Sequence, residues 1–151
     1  MEPCYRLAVA DDASECLDLR GKTRQNAASR EFLQSIGVTE SSWSEGIRSG
    51  SLPGYVCTVG GRIVGYAFGD RETGEIVVVA LLPDFEERGI GREVLERTVA
   101  HLRESGHSRL FLSCNPDPQS RSHGFYRHLG WRSTGTFDQH GDEILELLPA
   151  T

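Results

Sequence analysis

The residues best suited to chemistry lie in ALLPDFEERGIGREVLERTVAHL, residues 80–102. Arg88-Gly89-Ile90-Gly91-Arg92 stands where an apolar run ending at Pro83 gives way to a helical pattern. A helix start carries unpaired backbone N–H groups and a partial positive charge. Glycines let an anion approach those amides, and Arg88 and Arg92 add formal charge, which together make a cradle for phosphate. The same glycines also suit a tight strand-to-helix connection that holds nothing. Two familiar phosphate patterns are absent. There is no G-x-x-x-x-G-K-[ST], and G-x-G-x-x-G fails because Val94 occupies the third glycine position.

Other reactive side chains are scattered. Cys4, Cys16, Cys57 and Cys114 form no C-x-x-C pair, the histidines form no H-E-x-x-H, and no metal site is expected. Cys114 ends an apolar run and could serve as a nucleophile, but no His/Asp partner is identifiable and a buried strand cysteine is the simpler reading. Asp70, Glu72 and Glu75 gather between two strand patterns. They would either attract a cationic group or serve as ordinary turn residues.

Composition narrows the classes. With 151 residues, 38% hydrophobic and 25% charged, the chain suits one domain over 1–151 with its own core. A net charge of −6 argues against a nucleic-acid binder. No apolar stretch reaches the roughly 20 residues needed to cross a bilayer, and no membrane partner is expected. The acidic start MEPCYRLAVADDASE is unlike a signal peptide, so a cytoplasmic location is expected.

The elements that must position these groups follow from periodicity. CYRLAVA reads as a strand, and Asp11 or Asp12 can cap a helix over Cys16 and Leu19. Phe32, Leu33 and Ile36 mark a short helix stopped by Gly37, and Thr39 caps another. Phe32 and Trp43, on these helices, either line an acceptor pocket or belong to the core. Gly60-Gly61 between two β-rich runs predicts a tight hairpin. The unbroken apolar run 75–82 predicts a strand buried on both faces near the middle of a sheet. Ile90, Val94, Leu95, Val99 and Leu102 share one side of the helix that follows. Residues 109–114 make another strand. A helix ending at Gly130 follows, with Arg127 and His128 expected on its solvated side, and RSTGTFD and DEILELL close as an antiparallel pair. The order β, helices, β-β-β, α, β, α, β-β describes an α+β domain with a parallel crossover around 75–114.

VALLPDFEERGIGREVL resembles the acyl-CoA-binding segment of the GNAT superfamily of N-acyltransferases. Val79, Leu81 and Pro83 match the strand end, and Gly89 and Gly91 match the two small positions of [Gln/Arg]-x-x-Gly-x-[Gly/Ala]. Glu86 stands where the family prefers Gln or Arg. A second block, QSRSHGFYRHLGW, is similar to the family's Asn-x-x-Ala-x-x-Phe/Leu-Tyr…Gly-Phe helix. Gln119 replaces the Asn and Ser122 the Ala, while Tyr126, Gly130 and Trp131 fit.

The resemblance implies a mixed, mostly antiparallel sheet of six or seven strands, flanked by helices, whose central parallel pair splays into a slot. It implies acetyl-CoA as co-substrate, with no metal. Pantetheine would pair with backbone groups of Leu81 and Leu82, and pyrophosphate would sit over Arg88, Gly89, Ile90, Gly91 and Arg92. Gln119 and Ser122 would complete the cofactor site. Tyr126 would act as general acid toward the leaving thiolate. The family's strand glutamate has no counterpart among Val77–Ala80, which leaves a water-mediated path for the amine proton. The implied function is acetyl transfer to a primary amine of a small molecule or peptide. A CoA-binding module without turnover is the alternative, and a homodimer is one assembly the family offers.

Overall fold

The computed structural model describes residues 2–23 and 28–149. Seven strands and five helices follow one another as β1 (Cys4–Leu7), α1 (Ala13–Arg20), α2 (Arg30–Ser35), α3 (Glu40–Ser49), β2 (Gly54–Val59), β3 (Arg62–Gly69), β4 (Ile76–Leu81), α4 (Ile90–Glu104), β5 (Leu110–Cys114), α5 (Arg121–His128), β6 (Arg132–Phe137) and β7 (Glu143–Leu147). This is the expected order.

The strands form two antiparallel sheets, β1-β2-β3-β4 and β5-β7-β6. They meet at one parallel bridge between Glu75 and Phe111, where the Phe111 N–H also donates to Gly74 O at 3.3 Å. Beyond that bridge β4 and β5 part. The splayed parallel pair is present, and it divides the sheet in two.

Local chemistry accounts for many boundaries. Gly60 and Gly61 take φ of 61° and 80°, the left-handed pair that a two-residue hairpin between β2 and β3 requires. Thr39 caps α3 by accepting the Ser42 N–H at 3.0 Å, and Ser42 Oγ accepts the Thr39 N–H in return. Asp12 departs from the expectation that it caps α1. Its carboxylate turns back to accept the Val9 N–H at 2.8 Å and both Arg6 Nη atoms at 2.8 and 2.9 Å, tying the end of β1 to the start of α1.

Strand β3 is the spine. Ile63 to Gly69 is buried without interruption, because both faces are covered. Tyr66 donates its hydroxyl to Cys16 O of α1 at 2.9 Å, and Phe68 meets Trp43 of α3 edge-on at 5.3 Å. On the other face a Cβ at Gly65 would stand 3.2 Å from Ile90 and one at Gly69 2.7 Å from Leu102, so α4 lies close against the strand. The five apolar residues assigned to the inner side of α4 are all buried, and Thr98 joins them with its hydroxyl returned to Val94 O at 2.8 Å.

The run 75–82 is less buried than its composition predicts. Val77 is 41% exposed, and Val78 and Val79 are half-buried. The divergence of β5 removes the cover on one side. No helix among the described residues is long and apolar enough to cross a membrane.

Candidate active site

The parting of β4 and β5 opens a cavity of about 680 Å³, walled by β4, β5, α5 and the start of α4, with Arg20 and Thr23 beside it. The β4 wall offers backbone as well as side chains. Leu82 N–H donates to Val64 O at 2.9 Å, and the register sets Leu81 opposite Gly65 and Ala80 opposite Tyr66. Main-chain groups in an antiparallel ladder alternate between the partner and the other edge. Those of Leu81 and Val79 therefore point toward the gap that β5 has left.

At the mouth, α4 begins at Gly89, whose φ of 81° belongs to the left-handed region and favours glycine. The first helical bond runs from Glu93 N–H to Gly89 O at 3.1 Å, and no side chain caps the helix. The N–H groups of Ile90, Gly91 and Arg92 are left at the cavity edge. A Cβ at Gly91 would come within 3.5 Å of Phe125, so this glycine also seats α5 against α4. The connection reading of the glycine pair rests on the positive φ at Gly89 and on the close neighbour at Gly91.

Charge at this mouth is mixed. Arg92 pairs with Glu96 at 2.7 Å along its own helix. Arg121, the first residue of α5, lies 3.6 Å from Glu86 and 3.8 Å from Glu87. Arg121 lines the cavity and was not singled out from sequence. Its position one residue before Ser122 in the second motif was the available signal.

Tyr126 lies deeper. It is 9% exposed, edge-on to Phe125 at 5.1 Å and to Trp131 at 6.1 Å. Burial, helped by the neighbouring Cys114, pushes its phenol well above the ordinary value, while Arg20 acts in the opposite direction. The hydroxyl stays protonated at neutral pH. Cys114 shares the cavity, but burial raises its thiol against the pull of Arg127, so it is a poor nucleophile.

Of the residues assigned from sequence, Leu81, Gly89, Ile90, Gly91, Arg92, Ser122 and Tyr126 line this one space. Leu82, Arg88 and Gln119 do not. Leu82 is a core residue, 6% exposed. Arg88 turns its guanidinium over the Phe85 ring at 5.0 Å. Gln119 is exposed in the loop before α5, its N–H bound to Asp117 at 2.9 Å.

One further expectation is revised, at Arg127, and the alternatives left open for Phe32, Trp43 and the acid cluster narrow. Arg127 is not on a solvated face, since it pairs with Glu143 at 2.6 Å and fastens α5 to β7; His128 is exposed. Phe32 is 56% exposed and Trp43 packs on the core, so neither lines the cavity. Asp70, Glu72 and Glu75 also stand outside its lining. Asp70 accepts the Glu72 N–H at 2.9 Å and Thr73 accepts the Glu75 N–H at 3.2 Å, which are turn-closing roles.

The site is thus a split sheet with a glycine-opened helix start at its mouth and a buried tyrosine in its depth. The sequence profile of the acetyltransferase (GNAT) family matches residues 15–131, and the chain belongs to that family. No curated protein matches the sequence significantly. Solved structures share the fold at low identity. The PaiA N-acetyltransferase from Thermoplasma acidophilum in complex with coenzyme A superposes with a TM-score of 0.82 at 17% identity, over 98% of this chain and 99% of that one. YncA, a putative acetyltransferase from Salmonella typhimurium with its cofactor acetyl-CoA, gives 0.76 at 16%, over 100% and 96%. The ribosomal-protein-S18-alanine N-acetyltransferase from Escherichia coli gives 0.70 at 17%, over 99% and 96%.

Proposed function

We propose that this protein is an acetyl-CoA-dependent N-acetyltransferase, one catalytic domain over 1–151, acting on a primary amine of a small molecule or peptide. The observation that carries the reading is the continuity of one cavity from the amides of Ile90, Gly91 and Arg92 to Tyr126. The mouth suits a diphosphate and the β4 edge suits an amide-bearing arm. Acetyl-CoA supplies the thioester. The two neighbours solved with CoA or acetyl-CoA bound support the choice of donor.

In this reading Leu81 and Val79 hold the donor's arm through their main chain. Gly89 to Arg92 hold its phosphates, and Ser122 borders it on α5. The amine attacks the thioester carbonyl, so a C–N bond forms and a C–S bond breaks. Tyr126 gives its proton to the departing sulfur. The β4 and β5 residues that line the cavity, Ile76–Leu81 and then Leu112, Ser113 and Cys114, include no carboxylate, so the proton lost by the amine leaves through water. The four free cysteines fit a reducing, cytoplasmic setting.

Glu86, an acid at a phosphate mouth, favours a second reading in which the domain binds CoA without turning it over. Release of free thiol from acetyl-CoA with a panel of amines separates the two. Amine-dependent release supports the enzyme. Tight CoA binding with no release from any amine supports the module.

A further inference from the structure

The phosphate mouth carries two carboxylates, Glu86 and Glu87, immediately before the cradle. Neither position is incidental to the loop. Glu87 takes φ of 64°, left-handed for a residue with a Cβ, a conformation that tertiary context has to hold. The Glu86 side chain is only 12% exposed, and an enclosed carboxylate is stabilised by a nearby cation. Arg121 answers both acids across the cavity, from the start of α5.

The geometry of that answer is loose. Separations of 3.6 and 3.8 Å are ion pairs but exceed good N–H···O hydrogen bonds. The Arg121 side chain is 48% exposed and lines the same space as Gly89, Ile90 and Gly91. A pyrophosphate at those amides would add negative charge beside Glu86 and Glu87. It would also offer Arg121 oxygens suited to the planar guanidinium fork.

We infer, resting on the acyl-CoA reading above, that Arg121 is an exchangeable counter-ion. In the free protein it pairs with Glu86 and Glu87, and when acyl-CoA binds it turns to the pyrophosphate. Glu86 is then a competitor for Arg121. It weakens the hold on CoA and hastens release of the CoA product. An acid at this motif position sets the rate of emptying, with the cationic function carried on α5.

Calorimetric titration of CoA and of 3′-dephospho-CoA into wild type, Arg121→Ala, Arg121→Lys and Glu86→Gln tests this, with unliganded melting curves as the control for folding. Arg121→Ala should weaken CoA by roughly tenfold, as expected for loss of a charge-assisted contact, and Arg121→Lys should recover part of that. Glu86→Gln should tighten CoA by about threefold or more and slow its dissociation. Both effects should persist with 3′-dephospho-CoA, which keeps the pyrophosphate. If the pair is only a strut for the loop, Glu86→Gln weakens binding as Arg121→Ala does, and that shared sign overturns the inference. An unchanged affinity in Arg121→Ala overturns it as well, and effects that vanish with 3′-dephospho-CoA overturn the pyrophosphate contact. Should Arg121→Ala not fold, the sign of the Glu86→Gln effect decides. A wild type that binds no CoA overturns the acyl-CoA reading itself, and this inference with it.

Discussion

Tyr126, the proposed proton donor, is buried where its hydroxyl keeps its proton. Burial raises its phenol, with Cys114 adding to the shift, so the donor form persists through neutral and mildly alkaline pH. The Tyr126→Phe variant should lose about 10²–10⁴-fold in kcat while its CoA affinity, read by titration, stays within a factor of two. Unchanged kcat would leave the ring a packing residue against Phe125 and Trp131. The sign of the pH dependence follows from the raised value. Loss of the Tyr126 proton cannot depress kcat until the pH exceeds the ordinary phenol range near ~10, so kcat should climb as the amine deprotonates and show no falling limb below about pH 9. Gly91 makes the complementary test at the mouth. A glutamate there projects toward Phe125 and the phosphate position, and Gly91→Glu should abolish CoA binding while the protein remains folded by circular dichroism. Wild-type affinity in that variant would remove the cradle assignment.

Elements are held in register by a few polar ties. The Arg6–Asp12 pair joins β1 to α1. Burial alone would raise the Asp12 carboxyl, but Arg6 and the Val9 N–H outweigh it and hold it below the usual range. A depressed acid contributes stability above its unfolded pKa and loses it as pH falls through the folded value. The Asp12→Asn variant should therefore cost about 1–3 kcal/mol at pH 7, measured by thermal or denaturant melts. Its deficit against wild type should close as the pH drops below about 4. A gap that stays constant with pH would mean the site depends on shape and not on charge. The α4 start is a second such tie. Gly89 has open space around its missing Cβ, so its need for glycine is conformational, and Gly89→Ala should cost about 1 kcal/mol through φ alone.

At the scale of the molecule the divided sheet is the working part. Two antiparallel halves, each with its own buried cluster, meet at Glu75 and Phe111 and are bridged by α4. A ligand spanning the gap ties the halves together. Acetyl-CoA at 100 times its Kd should stabilise the fold by about 2.7 kcal/mol. Hydrogen exchange should then slow at Val79 and Leu81, whose amides face the gap, more than at Ala80 and Leu82, whose amides face β3. Equal protection of all four would show that the arm of the donor does not pair with the β4 edge.

Much of this was legible in the residues. The hairpin at Gly60-Gly61, the Thr39 cap, the inner side of α4 and the glycine turn at Gly89 all express rules that act over a few neighbouring residues, where backbone sterics and side-chain period suffice. The two motif blocks also placed Tyr126 and Ser122 on the helix that borders the slot. Other features depended on partners remote in sequence. Apolar composition in 75–82 promised a strand covered on both faces, but cover is decided by whether β5 pairs with it, and β5 turns away. Asp12 had the residue type of a helix cap and was drawn off by Arg6. Arg88 sat in the right motif and left the cavity to lie on Phe85, while Arg121, from another element, entered it beside Glu86. Sequence determined which groups were available and how the chain would bend locally. Only the tertiary structure decided where each charged side chain points, because that direction is set by the nearest opposite charge or open edge in space.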